Sequence, residues 1–300
     1  MRFLSNEHKG ALLAISSGLS YSLLGYFGVT IINEGLSINN MLFWRFIISS
    51  ILIALIIIAK FKRLEIDPKE MLIGILLGVA FYSTSSITYF LASKTIGTGL
   101  SMVIVFTYPA LVMALNLLLY KATITKAYYL ATTIIIVGLV MLTDITNYKF
   151  DIIGISFALL SAALYAFYIV FSKKNKLPPL MSTLMVSIGC SLTCFILAVI
   201  DGSLMVPIAL NIWINILGIG IICTALPIFL LLGCFKYIST EKASILSVLE
   251  PVFIVIFGLI LLEEKITMLQ AIGVAIVLSG AVITLFSDTT NISKRNEGAF

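Results

Sequence analysis

Lys94–Thr125 reads KTIGTGLSMVIVFTYPALVMALNLLLYKATIT, and Lys236–Thr267 reads KYISTEKASILSVLEPVFIVIFGLILLEEKIT. Side by side, the two stretches share Lys94/Lys236, Thr98/Thr240, Pro109/Pro251, Leu117/Leu259, Leu119/Leu261, Ile124/Ile266 and Thr125/Thr267, each pair 142 residues apart. The match continues through Ile134/Ile276 and Gly138/Gly280. Upstream the spacing becomes 144, where Gly10, Ala14, Ser17, Tyr21 and Phe27 recur as Gly154, Ala158, Ser161, Tyr165 and Phe171. The first four of these step by four, three and four, so each set lies on one helical face. Leucine and isoleucine coincide easily in an apolar chain. Proline, tyrosine, lysine and glycine are rarer, and here they keep their order across half the sequence.

The solvent of such a repeat follows from composition. Of 300 residues, 60% are hydrophobic and 11% charged, with a mean hydropathy of +1.14. Soluble domains carry about 25% charged residues, so this chain could not cover a water-facing surface. Lipid can surround it, because helices satisfy their own backbone hydrogen bonds. A span needs about 20 apolar residues, and ten stretches qualify: 10–32, 38–59, 71–93, 98–120, 126–144, 152–172, 180–200, 211–235, 242–262 and 266–286. The first is too long for a signal-peptide core and reads as a retained helix. No lipidation motif is visible at either end.

With the N-terminus placed inside, the inner segments hold 15 lysines and arginines and the outer ones three, Lys94, Lys149 and Lys265. That bias sets the orientation and supports an even number of spans with both termini cytoplasmic. Each repeat then holds five helices. Five is odd, so the second copy enters the membrane upside down, as in many secondary transporters. Three units are expected: residues 1–144 (helices 1–5), 150–287 (helices 6–10) and a cytoplasmic tail over 288–300.

These features resemble the EamA-type, five-plus-five family of the drug/metabolite transporter superfamily. The resemblance is carried by Trp44-Arg45, by Ser101-Met-Val-Ile-Val-Phe-Thr-Tyr-Pro109, by Ser244-Ile-Leu-Ser-Val-Leu-Glu-Pro251 and by Leu261-Leu-Glu-Glu-Lys-Ile-Thr267. The first repeat departs from the second at Leu119-Tyr-Lys-Ala-Thr-Ile-Thr125, where Ala122 stands in the place of Glu264. The resemblance implies transport by alternating access without ATP hydrolysis. It leaves both direction and substrate open among amino acids, nucleotides, cofactors and amines.

Charges inside a bilayer cost ~2.5–3.5 kcal/mol or more each and usually face protein or a wet cavity. Glu250 in helix 9 and Arg45 in helix 2 are the two clear cases. They enter from opposite faces to similar depths, which permits a pair. Both have a structural alternative, holding helices together, and Arg45 a further one, snorkelling outward. Pro251 follows Glu250 and frees a carbonyl one turn back, so the carboxylate sits beside a kink. Pro109 and Tyr108 occupy the corresponding place in helix 4. Helix 3 carries Tyr82, Ser85, Ser86 and Tyr89 on one face. With Ser17 and Tyr21 of helix 1, and Ser161, Tyr165 and Tyr168 of helix 6, they can line a polar aromatic cavity. The same hydroxyls can also serve as packing contacts between helices. Trp44 reads either as an interfacial anchor or as a cavity wall. The candidate substrate-binding set is therefore Glu250, Tyr82, Ser86, Tyr89, Tyr108, Ser17, Tyr21, Tyr165, Arg45 and Trp44, with Pro109 and Pro251 as gating or kink positions. A carboxylate among aromatic rings suits a cationic or zwitterionic solute.

The sequence holds no P-loop, no CxxC pair and a single histidine, His8. Cys190, Cys194, Cys223 and Cys234 lie in apolar runs. Glu263-Glu264 reads as a solvated turn. No cofactor, metal, enzymatic activity or nucleic-acid partner is expected. The expected partners are a small-molecule substrate and the lipid bilayer of the cytoplasmic (inner) membrane, the chain acting as a monomer or homodimer. The expected function is secondary transport of a small polar metabolite, such as an amino acid or amine, driven by protons or by exchange. The alternatives are a lipid-carrier flippase or other lipid-handling protein, and a receptor without flux.

Overall fold

A computed structural model of the chain describes residues 5–60, 67–142, 151–261 and 267–287. Among them the secondary structure is helical. The first half comprises α1 (Asn6–Tyr21), α2 (Leu24–Asn33), α3 (Ile38–Lys60), α4 (Pro68–Leu77), α5 (Ser83–Ile96), α6 (Thr98–Val105), α7 (Tyr108–Tyr120) and α8 (Lys126–Leu142). The second half comprises α9 (Ile152–Ser172), α10 (Pro179–Ile200), α11 (Leu210–Gly220), α12 (Leu226–Cys234), α13 (Thr240–Ser247), α14 (Glu250–Leu261) and α15 (Met268–Phe286). A π-helical turn, Gly78–Tyr82, joins α4 to α5, and another, Ile221–Ala225, joins α11 to α12.

Counted through their interruptions, eight helices are long and apolar enough to cross a membrane. They are Asn6–Asn33, Ile38–Lys60, Pro68–Ile96, Thr98–Tyr120, Ile152–Ser172, Pro179–Ile200, Leu210–Cys234 and Met268–Phe286. Lys126–Leu142 is a shorter apolar helix. The apolar stretch at 242–262 forms α13 and α14, separated at Val248 and Leu249. Glu263, Glu264, Lys149 and Lys265 lie outside the described residues.

Helix ends are set locally. The Asp67 carboxylate accepts from Lys69 N ahead of Pro68 at the start of α4. Asp151 accepts from Ile153 N at 2.8 Å at the start of α9. Thr267 and Gln270 form a capping box on α15, Gln270 N donating to Thr267 Oγ1 at 3.2 Å and Thr267 N to Gln270 Oε1 at 3.0 Å. Gly97 turns the chain between α5 and α6 at φ +82°, a conformation that side chains resist.

The packing repeats as the sequence does. Gly10 of α1 lies against Ile238, where an added Cβ would sit 2.7 Å from Cγ2; Gly154 of α9 lies against Ile96, where it would sit 2.5 Å from Cγ2. The two glycines are 144 residues apart and the two isoleucines 142. Corresponding residues thus meet corresponding residues across the halves. Helices of the same rank also pack on each other. Along α3 and α10, Phe43 meets Phe195 at 5.4 Å between ring centroids and the Ser49 hydroxyl meets that of Ser187 at 3.0 Å. Further along, Ile53 and Ile57 share a cluster with Met181, Met185 and Leu177. Numbers rise on one helix as they fall on the other, so the pair is antiparallel. The α8–α15 pair is also antiparallel, with Gly280 against Ala131 and Gly273 against Gly138 and Leu142. In both pairs, helices of equal rank in the two halves run antiparallel to each other.

Candidate functional site

Between the halves lies a chamber of about 100 Å³, bordered by Tyr21, Arg45, Tyr82, Ser85, Ser86, Tyr89, Tyr108, Ser161, Tyr165, Ser247 and Glu250, with Leu24, Phe90, Met102, Val105 and Phe106 as its apolar wall. Of the five interruptions within the described spans, four border it and the fifth holds one of its residues. The break between α1 and α2 follows Tyr21, the break between α6 and α7 precedes Tyr108, and the break between α13 and α14 precedes Glu250. The first π turn ends at Tyr82. The second contains Cys223 and Thr224, which hold Arg45. Irregular backbone is tolerated at membrane depth where it lines a cavity, and π turns concentrate at functional sites.

Tyrosines form a connected wall. The Tyr21 and Tyr82 hydroxyls share a hydrogen bond at 2.7 Å. Tyr165 meets Tyr108 edge-on at 4.8 Å and lies 6.0 Å from Tyr82. Tyr168 stands behind, 4.8 Å from Tyr82. The Tyr108 hydroxyl donates to the Ser244 carbonyl at 3.1 Å, tying the start of α7 to α13. Glu250 opens α14, where the positive end of the helix dipole favours an anion. Gly18 lets α1 approach that break, since a Cβ there would come within 2.9 Å of the Ser247 carbonyl. Among the described residues no hydrogen bond or ion pair engages the Glu250 carboxylate.

Arg45 also borders the chamber but is 2% exposed. Its Nε donates to Thr224 Oγ1 at 2.6 Å and its Nη2 to the Cys223 carbonyl at 3.3 Å, while its guanidinium carbon lies 5.0 Å from the centre of the Phe46 ring. It does not snorkel, and no ion pair joins it to Glu250. Glu250, Tyr82, Ser86, Tyr89, Tyr108, Tyr21, Tyr165 and Arg45 all meet at this one chamber. Two candidates lie elsewhere. Ser17 is buried and donates to the Pro227 carbonyl at 2.9 Å, joining α1 to α12. Trp44 Nε1 donates to the Met205 carbonyl at 3.0 Å, and its ring meets Trp213 edge-on at 5.0 Å, an anchor for the loop before α11. Ser85 and Ser161 clasp α5 to α9 by reciprocal bonds to each other's carbonyls, at 2.9 and 2.8 Å. Ser247 and Met102 also border the chamber and were not among the candidates. Ser247 lies three residues before Glu250, one helical turn away, and that spacing was the available signal.

The two ends of the bundle differ. A second cavity of about 240 Å³ shares Leu24, Tyr89 and Phe90 with the chamber and extends to Ser37, Lys94 and Thr98. The opposite end is cross-tied. Asn116 Nδ2 donates to Thr240 Oγ1 at 2.9 Å. Lys242, fully buried, reaches Glu7 at 2.5 Å, the Leu285 carbonyl at 3.1 Å and the Ser287 carbonyl at 3.3 Å. Lys173 donates to the Phe235 and Ile238 carbonyls. Cationic donors on helix-end carbonyls complement the dipole.

Apolar helices of this length around a polar chamber define a multi-pass protein of the cell membrane. The model of the EamA-like transporter family matches residues 8–144 and again 152–286. The chain therefore belongs to that family, within the drug/metabolite transporter superfamily. It is 27% identical over 215 residues to a protein of Archaeoglobus fulgidus named an uncharacterized transporter, covering 69% of this chain and 75% of that one. A second Archaeoglobus fulgidus protein of the same description is 30% identical over 252 residues, covering 80% and 86%. The uncharacterized transporter YdfC of Bacillus subtilis is 22% identical over 256 residues, covering 84% and 83%. One solved crystal structure superposes with a TM-score of 0.81 at 14% identity, covering 97% of this chain and 99% of that one, and shares the fold. The chain is a membrane transporter.

Proposed function

We propose that this transporter moves a small cationic or zwitterionic metabolite, an amino acid or related amine, by alternating access. Ten spans in two oppositely inserted halves place both termini in the cytoplasm. The observation that carries the reading is Glu250. It is a carboxylate without a described partner, at the start of a broken helix, in a chamber walled by tyrosines. An ammonium group supplies the direct ion pair that Arg45 does not make, and the ring faces add cation–π attraction. Arg45, held apart from Glu250, offers its remaining donors to a carboxylate, which favours a zwitterion. Size supports the class. Pockets for drug-sized ligands run about 300–1,000 Å³, whereas this chamber is about 100 Å³. That is too small for a polyprenyl or acyl chain and disfavours the lipid-carrier reading. The second cavity leads towards Lys94, the outer end in this topology, so the conformation is open outward and closed inward. Coupling is to protons or to a counter-solute, Glu250 being the group that either would occupy.

Uptake into proteoliposomes tests the reading, using amino acids and amines with and without a proton gradient. Glu250→Gln removes one charge-assisted contact of ~1.5–3 kcal/mol and should lower the initial rate by roughly tenfold or more. Its elution profile should remain that of the parent. Undiminished uptake by this variant would remove Glu250 from the site.

A further inference from the structure

On the lipid-facing side of the bundle, away from the chamber, a groove of about 690 Å³ runs between α1, α3, α10 and α12. Its walls are apolar, with Leu52, Ile56 and Phe229 among them, and its charges gather at one end. Lys60, the last residue of α3, and Lys236, two residues past α12, both border that end and are exposed. Neither ammonium has a hydrogen bond or ion pair to a described residue, and no described acidic side chain borders the groove. Gly233 keeps the floor open, since an added Cβ would find no atom nearer than Leu13 Cδ1 at 3.9 Å.

We propose that this groove is a binding site for one anionic phospholipid, with an acyl chain along the apolar wall and the headgroup phosphate between Lys60 and Lys236. An apolar slot ending in two cations that have no partner among the described residues is complementary to that molecule. A zwitterionic lipid brings its own ammonium to the same place and loses the advantage. Each basic residue at an anionic membrane surface contributes about 1 kcal/mol, so two lysines give a preference of roughly tenfold or more. The floor of the groove also matters to the transport site. Ile221 and Ala225 border it, and they bracket the Cys223 and Thr224 that hold Arg45. A lipid seated there rests on the element that positions the chamber's guanidinium.

Native mass spectrometry of the purified protein, titrated with phosphatidylglycerol or phosphatidylcholine of identical acyl chains, reads binding without any transport step. The expected result is one phosphatidylglycerol retained about tenfold more tightly than phosphatidylcholine. Lys60→Gln with Lys236→Gln should abolish that preference. Lys121→Gln with Lys126→Gln, which removes two exposed lysines bordering the far end of α7 and the start of α8, should leave it intact. Gly233→Phe should fill the groove and lower phosphatidylglycerol retention with both lysines present. An equal loss in the Lys121/Lys126 variant, full retention by Gly233→Phe, or no headgroup preference in the parent would each overturn the proposal.

Discussion

An arginine has five N–H donors in a rigid fork. In Arg45, Nε and Nη2 are fixed by Thr224 Oγ1 and the Cys223 carbonyl. Nη1 makes no hydrogen bond to a described residue, so the side chain is held by one edge with donor capacity left over. Arg45→Lys keeps the charge and loses the fork. Uptake of a carboxylate-bearing amino acid should fall about tenfold, the value of one charge-assisted bond. Uptake of the matching decarboxylated amine should change little. Equal losses for both solutes would show that Arg45 serves only to hold α3 to the π turn. At this scale the sequence exposed the charged residues and tyrosines of the chamber, because a polar group in an apolar run has few places to go. Ser17 and Trp44 look the same by that criterion. Their partners are the Pro227 and Met205 carbonyls, 210 and 161 residues away, and one-dimensional spacing carries no trace of those contacts.

At the scale of the helix, the informative features are the interruptions. Pro109 and Pro251 mark two of them, and the structure puts each proline second in its helix, α7 and α14, just past the break. The prolines start the second segment, where a missing N–H costs little. Pro227 stands second in α12, just past the second π turn, in the same way, while the break beyond Tyr21 and the first π turn have no such marker. Hydropathy registers only apolarity, which is uninterrupted across both. Glycine was the weak signal: Gly78 opens the first π turn and Gly220 immediately precedes the second. At Gly78 an added Cβ would lie 2.3 Å from the Val186 carbonyl, a backbone atom that cannot swing away. Gly78→Leu should therefore push α10 off the π turn at a cost of ~1–3 kcal/mol. It should lower the thermal midpoint in detergent by several degrees and disturb Tyr82. A midpoint equal to the parent's would mean that the π turn relaxes freely. Thr224→Val keeps the shape and removes two bonds, the one from Arg45 Nε and the one that Thr224 donates to the Ile219 carbonyl at 2.7 Å. It leaves the buried Arg45 Nε without its acceptor, so it should cut uptake and cost ~1–3 kcal/mol of stability.

For the whole molecule, the two-repeat organisation was legible from the sequence, because matching positions need no knowledge of contacts. The cross-tied end was not legible, because it depends on contacts between distant segments, Glu7 with Lys242 and Asn116 with Thr240. Those ties make the conformation testable. The native thiols Cys190, Cys194, Cys223 and Cys234 are all buried, so an introduced cysteine can be labelled against a low background. Thr98→Cys lies on the second cavity and should react rapidly with an impermeant maleimide added outside. Ser244→Cys sits behind Tyr108 on the cross-tied side and is fully buried, so it should react slowly from either side without substrate. Adding substrate should slow labelling at Thr98→Cys and accelerate it at Ser244→Cys from inside, as the two ends exchange. Lys242→Met cuts the ties to Glu7, Leu285 and Ser287 at once. Losing ~1–3 kcal/mol from one of two states shifts their ratio by roughly five- to hundredfold. Lys242→Met should therefore speed inside labelling of Ser244→Cys even without substrate. If Ser244→Cys instead reacts as fast as Thr98→Cys in the substrate-free parent, the cross-tied end is not a gate, and alternating access must be sought in other helices.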